Sequence, residues 1–175
     1  MSVPPRLAYV GMGSNLGDRA GHLLLGVRGM AAAGLRVSRL SSVYETEPAG
    51  VVEEQPAFLN MVAELCAPLP PPGELLALLL DVERAEGRRR ERPGAARTLD
   101  LDLLLCGDER LETESLTLPH PRLHLRRFVL APLAELSPDT RHPTLDVTFT
   151  QLLGATGERP LVRLWKPDGA VGSSQ

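Results

Sequence analysis

The chain of 175 residues is long enough for one hydrophobic core and short for two, and 43% of it is apolar, as in an ordinary globular protein. A net charge of −3 gives no electrostatic reason to expect nucleic acid or an anionic membrane surface as a partner, and no apolar run approaches the ~20 residues of a membrane span. Nothing before Val3 reads as a signal segment, and Cys66 and Cys106 lack metal-ligand spacing, so the expectation is a cytoplasmic protein with buried free thiols.

In chain order, LAYVGMG (7–13) reads as a buried strand that ends at glycines. A helix follows, with Asp18 as N-cap, Gly34 as C-cap, and Leu23, Leu24, Val27, Met30 and Ala31 at helical spacing. The stretch 35–46 alternates in part and reads as a single strand. After a loop comes a third strand, 57–67, whose imperfect alternation of Phe58, Met61, Ala63 and Leu65 allows a bulge. A proline cluster then opens a helix with Leu75, Leu76, Leu79, Val82 and Glu83 on one side. TLDLDLLLC (98–106) is the fourth strand. The order β-α-β-β-α-β is that of a ferredoxin-like α/β (α+β) unit. C-terminal helices are expected at 126–136 and 148–155 and a short strand at 161–165. Residues 1–165 form one domain, and 166–175 are expected to be a disordered tail.

RTLDLDLLLCG (97–107) poses the chemical question. In a strand, residues i and i+2 share a face, so Asp100 and Asp102 project together while Leu99, Leu101 and Leu103 point the other way. Adjacent carboxylates repel unless a cation joins them. Mg²⁺ fits, because it prefers hard oxygen ligands and binds through one or two carboxylates together with water and phosphate. Directly before the pair, RAEGRRRERPGAAR (84–97) carries six arginines and few apolar anchors, the composition of a mobile loop that could bring guanidinium groups to phosphate oxygens. The glycines of GMGSN (11–15) could cradle a phosphate, but neither G-K-[ST] nor a full G-x-G-x-x-G is present, and a tight turn is expected there. His22, His124 and His142 read as structural or solvated.

GSNLGD (13–18), SSVYETEP (41–48), QPAFLN (55–60), RTLDLDLLL (97–105) and LPHPRLHLRRFVLAPL (118–133) occur in an order that resembles the 6-hydroxymethyl-7,8-dihydropterin pyrophosphokinases of the folate pathway. The resemblance runs over about residues 5–160 and implies a ferredoxin-like sandwich that moves the diphosphoryl group of ATP to a pterin hydroxymethyl oxygen. It implies Asp100 and Asp102 as ligands of two Mg²⁺ ions, and Arg88 and Arg97 as arginines that engage the ATP phosphates. Glu83, Leu103, Thr117, His120 and Arg126 match nucleotide-side positions. Asn60 matches the reader of the pterin edge, Phe58 and Phe128 its aromatic walls, and Thr46, Glu47 and Ala49 the rest of that pocket. The partners implied are ATP and a dihydropterin, bound by a monomer, with neither nucleic acid nor membrane. The chain departs from many relatives in reading RPGAART where they have RWGPRT, and in placing Pro121 after His120 where they often have tyrosine. Two alternatives remain open on this fold: a palm-like nucleotidyltransferase, and a non-catalytic ligand-binding module.

Overall fold

The computed structural model describes residues 6–48, 55–87 and 97–168. Ala49, Arg88, the rest of the expected lid and the tail beyond Asp168 lie outside the described residues. The order is β1 (Leu7–Ser14), α1 (Arg19–Ala32), β2 (Arg36–Leu40), β3 (Tyr44–Thr46), β4 (Phe58–Cys66), α2 (Pro72–Ala85) and β5 (Asp100–Cys106). After these come a small hairpin, β6 (Leu111–Glu112) and β7 (Thr117–Leu118), a 3-10 turn at Leu123–Leu125, α3 (Arg127–Leu136), α4 (Phe149–Ala155) and β8 (Val162–Leu164). The main sheet is antiparallel throughout, ordered β5-β1-β4-β3-β8, with β2 and β3 paired in succession along β4. That is the ferredoxin-like fold with one extra edge strand. Among the described residues, no helix is long and apolar enough to cross a membrane.

The sheet has a core on each face. On one side Val10, Met12, Leu59, Met61, Leu99 and Leu101 pack against Leu23 and Met30 of α1 and Leu75 and Leu79 of α2. On the other, Tyr9, Val62, Leu104 and Leu105 pack against Val129, Leu130 and Leu133 of α3 and Phe149 and Leu152 of α4. Neither irregularity has its extra residue in β4: one is Ser38 of β2, and in β5 Tyr9 pairs with Leu105 but Val10 with Leu103, which leaves Leu104 as the extra residue of a bulge. It turns Leu104 and Leu105 to the same core, and so accounts for three consecutive buried leucines.

Three local expectations change. The strand read over 35–46 is two, because Ser41 interrupts it: its N–H donates to the Val62 carbonyl, but its hydroxyl oxygen, not its carbonyl, accepts from Val62 N–H. In α1, Leu24 is exposed and Ala31 faces solvent; the inward stripe is Leu23, Gly26, Val27 and Met30. Gly26 belongs to it because a Cβ there would stand 2.9 Å from Met12, so its absence lets the helix lie close on the sheet. The expected caps do form: the Asp18 carboxylate accepts from Gly21 N–H, and Gly34, just past the helix, has φ +87°. Finally, GMGS belongs to β1 itself and the turn comes later, at Gly17 with φ +67°. Both cysteines are free, Cys106 buried and Cys66 partly so.

Candidate active site

The α3 side of the sheet is covered only in part. Toward the start of β5 it stays open, and Asp100 and Asp102 meet this opening. Gly13 lies between Asn60 and Asp100 in register, and Gly11 between Val62 and Asp102. The two aspartates therefore stand side by side over bare glycine backbone. Their side chains keep 16% and 38% of their exposure, so both can meet a ligand from solvent.

Two arginines flank the pair. Arg97 donates to Asp100 Oδ2 at 2.5 Å, and the Arg126 guanidinium stands 3.8 Å from Asp102 Oδ2 and 5.6 Å from the centre of the Phe128 ring. Glu83 is buried on α2 and accepts a hydrogen bond from Leu101 N–H at 2.8 Å, which fixes the strand between the two aspartates. Burial, then the Asp100 charge, push the Asp102 carboxyl up to about 6, although Arg126 and Arg97 oppose this. Burial also lowers Arg126. His120 is brought down to about 4 by burial and then by Arg126 and Arg122, so its imidazole is neutral at pH 7; its Nδ1 accepts from Arg122 N–H.

Two cavities meet at this cluster. The first, about 440 Å³, is lined by Glu83, Leu103, Thr117 and His120. The second, about 460 Å³, is lined by Thr46, Glu47, Phe58, Asn60 and Phe128. Arg97, Asp100, Asp102 and Arg126 line both. Thus the residues matched to nucleotide and those matched to pterin gather in separate cavities that share the aspartates. In the second, Asn60 donates to Thr46 Oγ1 at 2.9 Å, which orients its amide.

Several contributors escaped the sequence reading. Asn15 is fully buried: its Oδ1 accepts from Arg97 N–H at 2.7 Å and its Nδ2 donates to Gln55 Oε1 at 3.0 Å. It thereby ties the Arg97 backbone to Gln55 at the entry to β4. An asparagine directly after an apolar strand, inside GSNLGD, was the available signal. The turn Thr113–Leu116 also lines the first cavity, and Arg122, Arg127 and Pro160 the second, through chain proximity that no local pattern announces.

The family model for 7,8-dihydro-6-hydroxymethylpterin-pyrophosphokinase (HPPK) matches residues 9–138. A 2-amino-4-hydroxy-6-hydroxymethyldihydropteridine pyrophosphokinase of Bacillus subtilis is 41% identical over 166 residues, covering 94% of this chain and 93% of that one. The protein of that name from Synechocystis is 42% identical over 83% of this chain and 74% of its own. Among solved structures, a Plasmodium falciparum HPPK-DHPS superposes with a TM-score of 0.67 at 14% identity, over 86% of this chain. The chain spans 45% of that larger protein, and the likeness at such identity is one of fold. From the match over residues 9–138, and an identity that runs nearly the full length of the Bacillus protein, the chain belongs to the 7,8-dihydro-6-hydroxymethylpterin-pyrophosphokinase family.

Proposed function

We propose that this chain, a single catalytic domain over residues 1–165 working as a cytoplasmic monomer, transfers the diphosphoryl group of ATP to the hydroxymethyl oxygen of 6-hydroxymethyl-7,8-dihydropterin. The observation that supports this reading is the meeting of two cavities at one pair of aspartates flanked by two arginines. A phosphoryl donor in one cavity and an acceptor in the other would face each other across Asp100 and Asp102. The second cavity has an aromatic residue in Phe58 and another in Phe128, with the Asn60 amide at its rim, which suits a flat heteroaromatic ring with polar edges.

The residues fit a divalent cation. Two adjacent carboxylates, one of them with its proton affinity raised by burial and then by the other, are a donor set that a hard cation relieves. Among the described residues no group of three or more His, Cys, Asp or Glu could hold a metal, so phosphate and water would complete the coordination. Asp100 and Asp102 would hold Mg²⁺, two ions as the resemblance implies, and the metal would neutralise phosphate charge. Arg97 and Arg126, with Arg88 of the expected lid, would offset the negative charge that develops on the leaving phosphate. Asn60 and Thr46 would set the ring so that the hydroxymethyl oxygen approaches the β-phosphorus in line. The new bond joins that oxygen to the β-phosphorus, the α–β bridge breaks with its oxygen leaving on AMP, and the hydroxyl proton is released. Positioning and charge compensation are the main contributions such a site can make.

The test is the nucleotide product. Incubation with Mg-ATP and the dihydropterin should yield AMP in a one-to-one ratio with pterin diphosphate, and none without Mg²⁺. Stoichiometric ADP would indicate an ordinary kinase, and released pyrophosphate a nucleotidyltransferase. No turnover with authentic acceptor would leave the chain a binding module.

A further inference from the structure

Gly11 sits in the middle of β1, the strand enclosed by β4 and β5. A glycine inside a strand forgoes side-chain packing and costs about 0.5–1 kcal/mol relative to alanine, so its presence there asks for a reason. Backbone conformation does not supply one, since Gly11 is not among the described glycines with positive φ. Neither does packing. The three heavy atoms nearest a Cβ built on Gly11 all belong to the Leu104 side chain, the closest at 3.4 Å, which is ordinary van der Waals contact. Gly13, two residues on, differs: a Cβ there would stand 3.0 Å from Asn60 Oδ1, so that glycine makes room for the amide. What remains for Gly11 is the cavity it lines, and it is partly exposed in spite of its central strand.

Its place in that cavity is specific. In register Gly11 lies opposite Asp102 on one side and Val62 on the other, one row away from Asn60, Gly13 and Asp100. A ring whose far edge is read by Asn60 presents its reacting edge to the aspartates, and Gly11 forms the floor beneath that edge. We propose that Gly11 is a specificity-determining residue: its missing side chain sets the depth of the acceptor pocket next to Asp102 and lets it take pterins with alkyl substituents on the reacting edge larger than one carbon. This rests on the second cavity being the pterin site.

The experiment compares wild type with Gly11→Ala in binding 6-methyl-, 6-ethyl- and 6-propylpterin, measured by calorimetry in the presence of a non-hydrolysable ATP analogue. One methylene more or less in an apolar pocket is worth roughly tenfold or more in discrimination. Wild type should lose less than about threefold from methyl to propyl, whereas Gly11→Ala should lose about tenfold or more, with affinity for the ATP analogue unchanged and the thermal midpoint no lower than that of wild type. Gly154→Ala, where a Cβ meets nothing within 4 Å, is the control. Should Gly11→Ala be poorly folded, pairing it with Leu104→Val relieves the nearest neighbour and restores the comparison. Parallel affinities for the three ligands in both proteins would overturn the proposal. A wild type that binds none of them, nor the authentic dihydropterin, would instead remove the pterin reading on which it rests.

Discussion

Asp102 shows how a site can cost stability. Its folded-state pKa of about 6 lies above the ordinary 3.8, so the fold prefers its neutral form. The corresponding stability is fully present below 3.8 and is lost as pH rises through about 6. At neutral pH without metal, the carboxylate pair therefore works against folding. Asp102→Asn should remove turnover and, at pH 7.5 without metal, raise unfolding stability by about 1 kcal/mol, after allowance for solvent screening of a partly exposed group. Chemical denaturation checks this, and a variant less stable than wild type would show that the charge is already compensated. The alternation LDLDL was enough to place both aspartates on one face. Arg97 stands only three residues from Asp100, but the Arg126 partner and the shift were not legible, because Arg126 reaches Asp102 from a turn 24 residues further along the chain.

At the scale of elements, α3 links the site to the rest of the sheet. Its first turn carries Phe128 to the second cavity. Near its other end, Glu135 accepts from Ser42 N–H, from the Ser42 hydroxyl and, at 2.6 Å, from the Tyr44 hydroxyl. Tyr44 stands opposite Asn60 and two residues from Thr46, so this clasp ties two walls of the cavity together. Burial and the Glu135 carboxylate raise the Tyr44 pKa, which keeps the hydroxyl a donor. Tyr44→Phe keeps the ring and loses that bond. Stability should fall by about 1 kcal/mol, and KM for the pterin should rise severalfold with KM for ATP unchanged. Equal rises in both constants in steady-state assays would assign the clasp to general stability. The helix itself was predictable at 126–136 in spite of Pro132, whose apolar neighbours kept their spacing. Its partner was not, since Tyr44 and Glu135 are 91 residues apart.

For the whole molecule, acid response draws on histidines outside the site as well as in it. His142 is 5% exposed, and its Nδ1 accepts from Thr144 and Leu145 N–H, a role open only to an unprotonated nitrogen. Burial, then the nearby His124, lower its pKa. The stability it contributes is therefore present above the ordinary 6.5 and is lost as pH falls below that value. Asp102 acts in the opposite sense, and Glu64 and Glu135, both lowered, lose their contributions only below 4.5. His142→Asn, whose side-chain oxygen can accept from the same amide two residues on, should flatten the fall in thermal midpoint between pH 7 and 5. An unchanged slope in calorimetry would place the acid sensitivity elsewhere. The sequence by itself determined the order of strands and helices, the shared face of the two aspartates and, through ordered motifs, the family. These rest on periodicity and local chemistry, which act within a few residues. Only the tertiary structure decided that the nucleotide-matched and pterin-matched residues occupy two cavities with a common wall, that Asn15 ties the Arg97 backbone to Gln55, and that GMG is a pocket floor instead of a turn. Those features arise where strands distant in the chain lie side by side, and the register that aligns Gly11 with Asp102 exists only after the sheet has formed.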